Sequence, residues 1–307
     1  MHGRALALAL VAGLTLPWSA HATEKETLRA RVVEAARALE NDPKLQRFTP
    51  KEREDLIAFV TGNILFIIVH ELGHATISEL GLPVLGREED AADDFATVAA
   101  LKMADKFSDR VLTESARGWF LSDKRDRATG EKLDFYDEHG MDKQRAYHIV
   151  CLMVGSDAEK YKVVADQAKL PEERQQTCGG DFSNASWSWE TVLKPHLRQP
   201  GDPKVAITAT YEDPKGKFEI FKRAAESMQL LEAVADHASE RFRYPKPFGI
   251  NLRACGDVNS WWDLKERKII ICYEMMQDFA QLYVKYGMKA DAVRSNKSAK
   301  AKKVGHK

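Results

Sequence analysis

The sequence predicts an α+β fold that is mainly helical and carries a small β-sheet towards its C-terminal end. Three observations lead there. Apolar residues recur at three- and four-residue spacing over most of the stretch before Gln199. Beyond the breaker Gln199-Pro200-Gly201-Asp202-Pro203 the pattern changes to short alternating or β-branched runs around one helical segment. The third is His70-Glu71-Leu72-Gly73-His74, which closes the apolar run Ile64-Leu65-Phe66-Ile67-Ile68-Val69 and concentrates the chemistry of the chain.

The chain is expected to begin with a leader. Arg4 gives a basic start, Ala5 to Leu16 an apolar stretch, and Ala20-His21-Ala22 a small-x-small cleavage box, so residues 1–22 read as a signal peptide and Thr23 as the mature N-terminus. An uncleaved anchor is the competing reading. With the leader removed, no segment has eighteen uninterrupted apolar residues, so the expectation is a periplasmic or secreted bacterial protein with no stable membrane insertion. The 307 residues are 44% hydrophobic, ordinary for a globular protein, and 46 basic residues balance 46 acidic ones, which gives no reason to expect nucleic acid as a partner. Four cysteines in an oxidising compartment favour two disulfides. Cys151 with Cys178 and Cys255 with Cys272 are the expected pairs, since each joins sequence neighbours and the second would link adjacent strands.

In order, Leu28, Val32, Val33, Ala36 and Leu39 mark a helix from Thr23 to about Glu40, ended by Asn41-Asp42-Pro43. Thr49-Pro50-Lys51-Glu52 caps a second helix, which should run through His74 to Leu80, bent near Gly62, and end at Gly81 and Pro83. Glu88-Glu89-Asp90 opens a third, to about Ala104. Short helices are expected between Asp105 and Asp134, then a helix bearing Arg145, Tyr147 and Cys151, a disulfide-tied connection to Gly180, and a helix with Trp187 and Trp189. After the linker come a strand at Lys204–Tyr211, a helix from Phe218 to about Phe242, strands at Phe248–Ala254 and Lys268–Tyr273, and a helix from Met275. The domain organisation is therefore a helical region over 23–198, an α/β region over 199–288 and a basic, disordered tail over 289–307.

On a helix, His70 and His74 share a face one turn apart and can grip one metal ion, while Glu71 stands where it can take a proton from a water at that metal. This pattern suits zinc hydrolysis. Zinc then needs a third protein ligand. Glu89 and Asp93, four apart on the following helix, are the candidates, with Glu89 as ligand and Asp93 behind a histidine ring. Glu88 and Asp90 are expected to meet solvent.

The pairing of His70-Glu71-Leu72-Gly73-His74 with Glu89-Asp90-Ala91-Ala92-Asp93 resembles the Glu-zincin metallopeptidases, in which the glutamate binds zinc and the aspartate supports a histidine. Together with Gly86-Arg87-Glu88, Asp137-Glu138-His139, Gln144-Arg145 and Ile271-Cys272-Tyr273-Glu274, the chain more closely resembles an uncharacterised bacterial metallopeptidase family, a domain of unknown function, over most of its mature length. The resemblance implies a zinc-dependent peptidase acting on a peptide or protein, with His139 as hydrogen-bond donor to the oxyanion. A helix cap or surface position is the plainer fate of His139, and Arg145 is expected to brace an internal acid. The order of strands and helix after Gly201 is what zincins place before their metal helix, so the fold expected is zincin-like and circularly permuted. Two unrelated domains joined at the linker are the alternative. In function, the alternative is a non-catalytic exported zinc-containing binding protein.

Overall fold

The computed structural model describes residues 35, 39, 42–132, 135–214, 216–288 and 291. The expected leader, the helix expected before Glu40 apart from Ala35 and Leu39, and the basic tail apart from Asp291 lie outside the described residues.

Helix α1 (Pro50–Leu80) is the axis of the molecule. Thr49 caps it by accepting from the Glu52 N–H while the Glu52 carboxylate accepts from the Thr49 N–H, and Gly81 ends it in the left-handed conformation, at φ 61°. By length and composition α1 could cross a membrane, but 94% of its most apolar window is buried inside the protein, as in a core helix. Ile64, Phe66, Ile68 and Leu72 are all buried, and each such side chain contributes about 1.5–3 kcal/mol when fully removed from water. Gly62 is a site of close packing: a Cβ there would lie 3.0 Å from Cβ of Glu114.

Helix α2 (Glu88–Met103) folds back on α1, and α3 (Lys106–Thr129) packs against both. The short helices expected after Asp105 are in fact this one long helix. Asp105 caps it, and Val111, Leu112, Ser115, Ala116, Leu121 and Ser122 form its buried stripe within a polar composition. Helices α4 (Asp142–Ser156), α5 (Ala158–Ala168), the single turn α6 (Glu172–Gln175) and α7 (Cys178–Leu193) complete the helical part. Disulfide Cys151–Cys178 ties α4 to the start of α7.

Strand β1 (Ile207–Tyr211) leads to α8 (Glu219–Met228) and α9 (Leu230–Arg241), which break apart at Gln229, where φ is 52°. The expected single helix is therefore two. Strands β2 (Phe248–Arg253), β3 (Ser260–Asp263) and β4 (Lys268–Cys272) follow, then α10 (Tyr273–Leu282). The sheet order is β1-β2-β4-β3; β1, β2 and β4 run parallel, and β3 pairs antiparallel with β4 at the edge. Disulfide Cys255–Cys272 joins the β2–β3 loop to the end of β4. The fold is thus α+β, mostly helical with a small mixed sheet, and one apolar core runs from α1 into β2 and β4. Two disulfides fit an oxidising compartment.

Candidate metal centre

The site forms where α1 and α2 lie closest. Gly73 sits between the two histidines of the motif, and a Cβ at that position would come within 3.2 Å of the Ala92 Cα. The missing side chain lets the helices approach until the first turn of α2 faces His70 and His74. That turn carries Glu88 and Glu89 at the positive end of the helix.

The Nε2 atoms of His70 and His74 are 3.2 Å apart. Glu89 closes the triangle, with Oε2 3.1 Å from His70 Nε2 and Oε1 3.3 Å from His74 Nε2. Each imidazole is held from behind: His70 Nδ1 lies 2.8 Å from Asp93 Oδ1, and His74 Nδ1 lies 2.8 Å from Glu88 Oε1. Glu88 is exposed, as expected, and from that position also accepts from Nδ1 of the second histidine. Asp90 does stay half-exposed, paired with Arg87.

Behind Asp93 stands Arg145 of α4, donating from Nε to Oδ2 at 2.8 Å and from its terminal nitrogen to Oδ1 at 2.7 Å. Its guanidinium lies 4.0 Å from the ring centroid of Trp119 on α3. Both ions are buried, so the fork-to-carboxylate geometry and the aromatic face are what make their desolvation tolerable. Trp119 thus covers the guanidinium of this ion pair. His139 lies in the loop before α4, with Nε2 3.0 Å from Glu89 Oε2 and Nδ1 3.1 Å from Asp137 Oδ1. Glu71 is buried on α1 and accepts from the Ser260 hydroxyl at 2.7 Å.

A donor set of this kind has a specific electrostatic need. Ionised carboxylates only accept hydrogen bonds, so the Nδ1 atoms facing Asp93 and Glu88 carry the protons, and in neutral rings the Nε2 lone pairs point at one another and at Glu89. Positive charge must sit among them. Protons can supply it: burial disfavours charged His74, but its hydrogen bonds to Glu89 and Glu88 outweigh this and lift its pKa to about 9. Burial likewise opposes charge on His70, and Asp93 and Glu89 again prevail and raise it. Glu89 is pushed the other way; burial would raise its pKa, but hydrogen bonds from His139, His70 and His74 hold it far below the carboxylate range. Asp93, though buried, is kept ionised chiefly by the Arg145 charge. A divalent cation satisfies the same need with one particle, displacing the protons as it binds. Two imidazole nitrogens and a carboxylate, each ring backed by an acid, make a set suited to such an ion.

Residues 32–193 and 211–306 match the family model described as "Putative metallopeptidase", and the chain belongs to that family. No curated protein and no solved structure matches it. The family description implies a metal ion and a peptide substrate. The interval between the two matched stretches contains the Gln199–Pro203 breaker.

Of the residues singled out from sequence, His70, His74, Glu89, Asp93 and His139 meet at one place, with Glu71 beside His70 on the same helix turn. Glu88 and Ser260 were missed. The acidic turn could have pointed to Glu88; nothing local points to Ser260, which lies 189 positions from its partner.

Proposed function

We propose that the protein is an exported zinc metallopeptidase that hydrolyses peptide bonds with Glu71 as general base. The observation that carries this is the convergence of His70, His74 and Glu89, each imidazole oriented by its own carboxylate, on a helix that also presents a buried glutamate beside the first histidine. His70, His74 and Glu89 hold the ion, and Asp93 and Glu88 fix the two rings. When bound, zinc acts as a Lewis acid and brings the pKa of water from 15.7 down to about 7. Glu71 accepts the proton of the attacking water and returns it to the leaving amine. His139, held by Asp137 and with its pKa raised mainly by Glu89, donates from Nε2 to the oxyanion as the carbonyl becomes tetrahedral. The helical region supplies these groups, and the α/β region beyond the linker reaches Glu71 through Ser260. The reading is tested by turnover of internally quenched octapeptides by the metal-loaded mature chain, with Glu71→Gln as control.

A second reading has one observation in its favour. The ligand atoms of His70, Glu89 and His139 all lie within 4.8 Å of one another, a three-residue set without His74; if His74 joined it on binding, the ion would have four protein ligands, as in a non-catalytic metal-containing binding protein. His139→Ala separates the two. The peptidase reading expects zinc to be retained and turnover to fall about 10²–10³-fold, the cost of an oxyanion donor. Loss of zinc in this variant supports the closed site.

A further inference from the structure

We propose that Ser260 is the positioning residue for Glu71: its hydroxyl, carried on the edge strand of the C-terminal sheet, fixes the carboxylate in the orientation it uses at the metal centre. The chemical consequence of this tether rests on the peptidase reading.

Glu71 is only 5% exposed. A carboxylate in such a place is costly unless donors meet it. The backbone around it is committed to the hydrogen bonds of α1, and the donor that reaches it among the described residues is the Ser260 hydroxyl, 2.7 Å from Oε1. An untethered glutamate has three rotatable side-chain bonds and spreads over several rotamers. One bond to Oε1 removes most of that freedom and leaves Oε2 to accept a proton.

Ser260 can do this because it is itself held from several sides. It is the first residue of β3, paired with Ile271 of β4. Its N–H donates to the Asn259 side chain at 2.8 Å, and the Asn259 carbonyl accepts from the Cys272 N–H at 3.2 Å. The loop before it is closed by the Cys255–Cys272 disulfide. At the start of α10, the Glu274 carboxylate accepts the N–H groups of Cys255 and Gly256 at 3.1 and 2.8 Å. A hydroxyl that only filled a gap over α1 would need none of this bracing.

The experiment uses the mature, zinc-loaded chain and its Ser260→Ala, Ser260→Thr, Glu71→Ala and Ser260→Ala/Glu71→Ala variants. Zinc content, thermal unfolding and turnover of an internally quenched octapeptide library are measured for each. The tether predicts that the melting-temperature losses of the two alanine variants are not additive in the pair. It also predicts that Ser260→Ala keeps its zinc, loses about 10–100-fold in kcat as outer partners of a site do, and holds KM near the wild-type value, while Ser260→Thr, which retains the hydroxyl, recovers most of the kcat. Additive losses overturn the proposal, as does a Ser260→Ala variant with wild-type kcat or a Ser260→Thr variant as impaired as Ser260→Ala. If Glu71→Ala does not fold, the comparison of Ser260→Thr with Ser260→Ala decides. Non-additive losses in a wild-type protein that cleaves no octapeptide leave the tether standing and count against the peptidase reading alone.

Discussion

Glu71→Gln is expected to lower peptide turnover by about 10²–10⁴-fold, the range for removal of a general base, and to leave the zinc content of the protein unchanged. Glutamine has nearly the same shape as glutamate, and its carbonyl oxygen can still accept from Ser260, so packing around α1 is preserved. What it cannot do is take a proton from water. Glu71 also sits outside the triangle of His70, His74 and Glu89, so no ligand is lost. Turnover with metal titration separates the two properties. Full activity in this variant removes Glu71 from the mechanism.

Glu89→Ala is expected to weaken zinc binding by more than the about 10–100-fold that loss of an outer partner costs. The carboxylate faces both imidazole nitrogens, at 3.1 and 3.3 Å, and is the anionic member of the triangle. Without it, two neutral rings alone would face the cation, and His139 would lose its partner at 3.0 Å. Competition titration against a chelator of known affinity measures the loss, with circular dichroism confirming that α2 still folds. Zinc affinity at the wild-type level would mean that another residue is the third ligand.

How much of this was readable in the chain follows from how far apart the interacting residues lie. The capping box at Thr49 and Glu52, the stop at Gly81 and the acidic start of α2 are local signals, and they mark the two helices that begin at Pro50 and Glu88. The meeting of His70 and Asp93 was also accessible, because a short turn between consecutive helices leaves few ways for their faces to meet. Helix α3 was not: its buried stripe includes Ser115 and Ser122, so a polar segment hid a single long amphipathic helix. The break between α8 and α9 was hidden too, since the left-handed residue there is Gln229 rather than glycine. Ser260 reaches Glu71 only because β3 is the edge of a sheet laid against α1, and sheet order is set by long-range pairing that spacing in the chain does not encode.

The most direct measurement is the metal content of the purified protein, by elemental analysis as isolated and after stripping and reconstitution with zinc. The account predicts about one zinc per chain in both preparations, consistent with a single His70, His74 and Glu89 site. A chain that holds no metal even after reconstitution contradicts it.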